Sequence, residues 1–157
     1  MKKYIFTAIF CLLTAVSVGA QSKKSAQVSK LYQNYIAIKS ALASDDADKT
    51  SKASSDFMKT ASAIDAKTVS QKELNILKKE ALAISGTKNI SIQRKSFYQL
   101  SDYMIALTKE FRLSESPVYV QYCPMAEGSW LSNEKKVINP YYGSSMLSCG
   151  TVKAEIK

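Results

Sequence analysis

The residues best suited to chemistry lie between Tyr122 and Gly150: Cys123-Pro124-Met125 at one end, Met146-Leu147-Ser148-Cys149 at the other. Cys123 and Met125 stand two apart around a proline that stiffens the turn. Met146 and Cys149 stand three apart, just before a glycine. Brought together, they would offer two thiolates and two thioethers. The chain has no histidine, so an imidazole site is excluded. A sulfur-only set suits Cu(I) or Ag(I), whereas zinc wants more thiolate or imidazole. Trp130 could lay its ring against a bound monovalent cation or anchor the loop to the rest of the domain.

The same two cysteines have other readings. In an oxidising compartment a pair most often forms a disulfide. Closing this loop would contribute about 3 kcal/mol on the chain-entropy picture. A loop pinned that way could present Trp130, Tyr141 and Tyr142 to a protein or envelope partner. A catalytic thiol couple is a third option. Other enzymatic chemistry is disfavoured. No imidazole base is available beside a nucleophile, and the serines have no nucleophile-elbow spacing. There is no glycine-rich phosphate loop.

Residues 1–20 read as a secretory leader: Lys2 and Lys3, an apolar run from Tyr4 to Val18, then small residues before Gln21. The run is too short for a confident transmembrane helix. Cys11 falls inside it, which leaves Cys123 and Cys149 in the exported protein. The expected compartment is the periplasm or the cell exterior, and residues 21–157 are enough for one domain. The formal charge is +9, with the lysines scattered as on the outer faces of helices. Arg94 and Arg112 are the only arginines, which argues against nucleic-acid binding.

The elements that must position these sulfurs are mostly helical. Val28, Leu31, Tyr35, Ile38 and Leu42 recur at helical spacing over 25–43, with Lys30, Asn34 and Lys39 outside the stripe. Asp45 and Asp46 offer N-caps for a second helix with Ala53, Phe57, Ala61 and Ile64 inward. The Asp45-Asp46-Asp48 cluster reads as a cap and a solvated turn, since no calcium-loop spacing follows. Ser70 to Glu73 is a capping-box pattern for a third helix, with Leu74, Leu77, Ala81 and Ile84 inward and Gly86 at its end. A fourth runs from about 90 to 113 through Phe97, Leu100, Met104, Leu107 and Phe111. Short connectors suggest a mainly α domain, an antiparallel four-helix bundle over 25–113.

From Pro117 onward the period changes to two. Residues 118–123 and 152–157 read as strands. Antiparallel pairing, the commoner kind, would bring Cys123 and Cys149 to one end of a small two-stranded hairpin. Residues 124–148 would then form a long loop over one end of the bundle.

The motifs Tyr-Cys-Pro-Met-Ala, Gly128 to Ser132, Ile138 to Gly143 and Met146 to Gly150 resemble those of the exported domain-of-unknown-function family number 3347. Ile92-Gln93-Arg94 and the Phe97 to Phe111 stretch are similar too. Such domains occur alone or fused to periplasmic adaptor subunits of copper and silver efflux pumps. The resemblance thus implies a metal-linked role and an efflux adaptor as partner. Cys-Pro-Met also resembles the core of a short heavy-metal-binding module, although Ala126 stands where that module has histidine. Two readings therefore go forward: a soft-metal site at Cys123, Met125, Met146 and Cys149, and a disulfide-pinned interaction module.

Overall fold

The computed structural model describes residues 26–157. The expected leader and Cys11 lie outside them. Helix α1 covers 26–43, α2 Ala47–Ser62, α3 Gln71–Ser85 and α4 Ile90–Leu107. Each of the last three begins at a side-chain cap. Asp46 accepts from the Lys49 N–H at 2.9 Å, Ser70 and Glu73 complete a capping box, and Asn89 accepts from Ser91 and Ile92. The expected apolar stripes are buried, except that Ala53 and Phe111 are only partly so, and they merge with residues of the C-terminal segment into one core. Helix α3 packs between α2 and α4. Asn34 ties α1 to α2 through the Asp56 carbonyl and the Thr60 hydroxyl, and Tyr35 ties it to α4 by stacking on Phe97.

Three expectations about the helices need correction. The fourth helix ends at Leu107 rather than 113. From Thr108 to Glu110 each backbone N–H bonds three residues back, a tightening that closes the last turn. Phe111 is consequently only partly buried. Lys39, expected to face solvent, is buried; burial lowers the pKa of its amine, and the charge of Glu134 opposes that shift. Of the two candidate caps, only Asp46 caps α2. Asp45 takes a left-handed turn at φ 58° and pairs with Arg94 instead.

The C-terminal segment forms three strands, not two: β1 Val118–Cys123, β2 Gly128–Ser132 and β3 Thr151–Ile156, in the order β2-β1-β3, with both pairings antiparallel. Expected loop residues 128–132 thus belong to the sheet. Trp130, Leu131 and Ser132 are buried in succession, so this strand carries no two-residue rhythm. The turn Pro124–Glu127 joins β1 to β2, with Glu127 at φ 51°, in keeping with four-residue hairpin loops built on a tight turn. Tyr122 pairs with Thr151 at the far end of the β1–β3 ladder. That register puts the end of β1 beside the approach to β3, as antiparallel pairing requires. Between Val120 and Gln121 the register slips past Lys153. Strand β2 packs on α4, and β3 is a largely exposed edge.

Candidate functional site

Cys123 ends β1, and Cys149 lies two residues before β3. Both are free thiols, Cys123 fully buried and Cys149 partly so, and the two side chains are hydrogen-bond neighbours. Burial by itself raises the pKa of the Cys123 thiol. That effect is outweighed by the Cys149 thiol, by the backbone N–H groups of Ala126 and Met125, and by the Asn139 amide, so Cys123 is displaced below the ordinary thiol value. The two backbone donors come from the Pro124–Glu127 turn. Consecutive N–H groups in a turn make a small concavity suited to an anion. Cys149 moves upward, because it donates to Cys123, is desolvated and feels the Cys123 charge, while the Met125 N–H works against this. The pair is therefore asymmetric: a thiolate-favouring sulfur inside and a protonated sulfur nearer the surface.

The turn beside Cys123 is held by tyrosines. The Tyr98 hydroxyl donates to the Ala126 carbonyl at 2.9 Å and the Tyr142 hydroxyl to the Met125 carbonyl at 3.0 Å. The Tyr141 hydroxyl donates to the Ser129 carbonyl at 2.6 Å. Tyr98 and Tyr141 stack with ring centres 4.0 Å apart. Gly128 lies against both rings: a Cβ there would sit 2.6 Å from a carbon of each. Only glycine leaves room for this approach.

The segment leading to Cys149 is clipped to the helices. Arg94 on α4 pairs with Asp45 and donates from Nε to the Pro140 carbonyl at 3.0 Å. The second Asp45 oxygen accepts from the Ser144 N–H at 2.9 Å. The Ser144 bonds, aided by Arg94, hold the Asp45 carboxyl down to about 2 from its ordinary 3.8. Gly143, at φ 55°, sits against this pair, where a Cβ would collide with both Asp45 and Arg94.

Of the residues expected at the site, Cys123 and Cys149 are brought together. Met125 lies in the turn after Cys123 and is 65% exposed. Met146 is partly buried at the end of the 3-10 helix Gly143–Met146, its carbonyl accepting from the Cys149 N–H at 3.0 Å. Among the described residues, no group of three or more Cys, Asp or Glu side chains could hold a metal ion. A metal here would rest on the two thiols, a donor set that fits a soft monovalent cation and suits a hard divalent one poorly.

Trp130 and Tyr141, expected to face a partner, are buried instead. The Trp130 indole donates to Gln121 Oε1 at 2.8 Å and meets the Tyr141 ring edge-on. Tyr142 alone of the three is partly exposed. Sequence reasoning missed Asn139 and Gln121, both fully buried. Gln121 Nε2 donates to the Glu134 and Lys136 carbonyls at 2.8 and 3.1 Å, fixing the loop after β2. The signal in Asn139 was a polar residue set between Val137-Ile138 and Pro140-Tyr141-Tyr142.

No curated protein and no solved structure matches the chain. A sequence model of the family described as protein of unknown function (DUF3347) matches residues 31–116, more than half of the chain. That stretch holds Asp45, Arg94 and Tyr98, which brace the thiol pair, and stops before the strands that carry the cysteines. With its helices so matched, the chain belongs to the DUF3347 family.

Proposed function

We propose that this protein is a non-enzymatic, exported carrier or buffer of a soft monovalent metal, Cu(I) or Ag(I). Cys123 and Cys149 supply the thiolates, and Met125 and Met146 the thioethers. The observation that carries this reading is the pairing of two thiols in which the inner one, Cys123, faces two turn N–H groups and the Asn139 amide. Such donors stabilise a thiolate, and a thiolate is what a soft cation binds. The partly exposed Cys149 gives the metal a way in. The same asymmetry argues against thiol–disulfide catalysis, because the sulfur favoured as thiolate is the one shielded from an incoming disulfide.

The helices are read as antiparallel neighbours, since their connectors span only 44–46, 63–70 and 86–89. No helix among the described residues is long and apolar enough to cross a membrane. The leader-like residues 1–20 and the resemblance to domains fused to efflux adaptors favour a periplasmic or extracellular setting. There it would pass its metal to such an adaptor. Titration of reduced, metal-free protein with Cu(I) against a competing chelator tests the assignment. One equivalent should bind, and binding should be lost in the Cys123→Ser/Cys149→Ser protein. Undiminished binding in that variant refutes the site.

A second reading is favoured by the same proximity: the pair closes as a disulfide and the domain serves as an interaction module, with Tyr142 its partly exposed aromatic. Protein isolated from its own compartment would then lack the mass of two hydrogen atoms and ignore added Cu(I).

A further inference from the structure

The β1–β3 ladder does not itself fix the distance between the two cysteines. Its last pair is Tyr122 with Thr151, and Cys149 lies beyond it, in the turn between the 3-10 helix and β3. One buried side chain reaches both sides of that gap. Asn139 Nδ2 donates to the Cys149 carbonyl at 2.9 Å, and the same amide faces the Cys123 sulfur. Asn139 is itself immobilised. Its N–H donates to the Leu147 carbonyl at 2.8 Å, and its Oδ1 accepts from the N–H groups of Tyr141 and Tyr142 at 2.8 and 3.3 Å. It is fully buried. The amide thus spends its acceptor on its own turn, donates to the Cys149 segment and stands beside the Cys123 thiol.

We propose that Asn139 is the positioning residue of this site: one buried amide sets the separation and mutual orientation of the Cys123 and Cys149 sulfurs. A flexible Cys149 turn would leave two thiols that meet only intermittently. A bridged turn presents them as a preformed pair, which lowers the ordering cost of binding a two-sulfur cation. The inference rests on reading the pair as the functional site and names what makes it a site rather than two neighbouring thiols.

The test uses metal-free protein, so a protein that never binds Cu(I) leaves it intact. Reduced protein is equilibrated with oxidised and reduced glutathione. One glutathione disulfide accepts two electrons from the dithiol, giving the Cys123–Cys149 disulfide and two glutathione thiols. The equilibrium constant reports the effective concentration of one thiol at the other. Asn139→Ser keeps an oxygen that can accept from the Tyr141 N–H, so the turn survives, but it loses the bridging donors. The expected result is an effective concentration lower by tenfold or more. Asn139→Ala should lower it at least as far; if that variant fails to fold, Asn139→Ser carries the test. Ser54→Ala removes a buried bond to the Ala81 carbonyl far from the pair and serves as the control for general destabilisation; its effective concentration should be unchanged. A folded Asn139→Ser protein within threefold of wild type overturns the proposal, as does an equal fall in Ser54→Ala.

Discussion

A methyl group added at Gly128 has nowhere to go. Both neighbouring rings are committed, Tyr98 to the Ala126 carbonyl and Tyr141 to the Ser129 carbonyl, so neither can swing aside without losing a bond. Gly128→Ala should destabilise the fold by ~1–3 kcal/mol, the usual range for overpacking, as measured by urea denaturation followed through Trp130 fluorescence. Unchanged stability would mean that the aromatic clamp on the Cys-Pro-Met turn is looser than the stacking implies. At this scale the sequence was informative about the sulfurs and silent about their support. Cys123 and Cys149 announce themselves by type. Asn139 before Pro140 reads as an ordinary turn residue, and Gly128 as a loop glycine. Their roles come from contacts with α4 and the Cys149 turn, and no local pattern encodes those.

Among the elements, helices were legible from their buried stripes, and for α2 and α3 also from the caps at Asp46 and Ser70; the Asn89 cap of α4 emerged only from the structure. Strand β2 was not, because its identity lies in pairing with β1 and its burial runs three residues together. A link between elements that braces the segment leading to Cys149 is Asp45, at the α1–α2 corner, joined to Arg94 and Ser144. The folded state holds this carboxyl near 2, below its ordinary 3.8. Its bonds therefore add stability above the unfolded value, and that contribution is lost as pH falls through the interval down to about 2. The side chain is 36% exposed, so solvent screening reduces the effect below what the shift alone implies. Asn tolerates the left-handed backbone at this position but cannot titrate. Wild type should exceed Asp45→Asn in urea midpoint at pH 6, and the gap should narrow as pH falls from 3.8 to about 2. A constant gap would show that the carboxylate's charge contributes nothing.

For the whole molecule, the helical body acts as a frame and the sheet as the carrier of the sulfurs. Tyr35 joins the two directly: its hydroxyl meets Ser101 on α4 at 2.8 Å and accepts from the Leu131 N–H of β2 at 3.0 Å. Sequence periodicity indicated two strands, and antiparallel pairing, the commoner kind, would bring Cys123 and Cys149 to one pole. It could not indicate that a third strand and a tyrosine clamp intervene, since both depend on residues far apart in the chain. On the proposed reading, the shared pole is a sulfur-lined site for a soft cation. Copper-edge X-ray absorption on the Cu(I)-loaded, reduced protein tests it most directly. The chain has no histidine, so the predicted signature is a sulfur-only coordination shell that disappears in the Cys123→Ser/Cys149→Ser protein. A shell of oxygen or nitrogen neighbours, or a sulfur shell that survives the double substitution, would contradict the account.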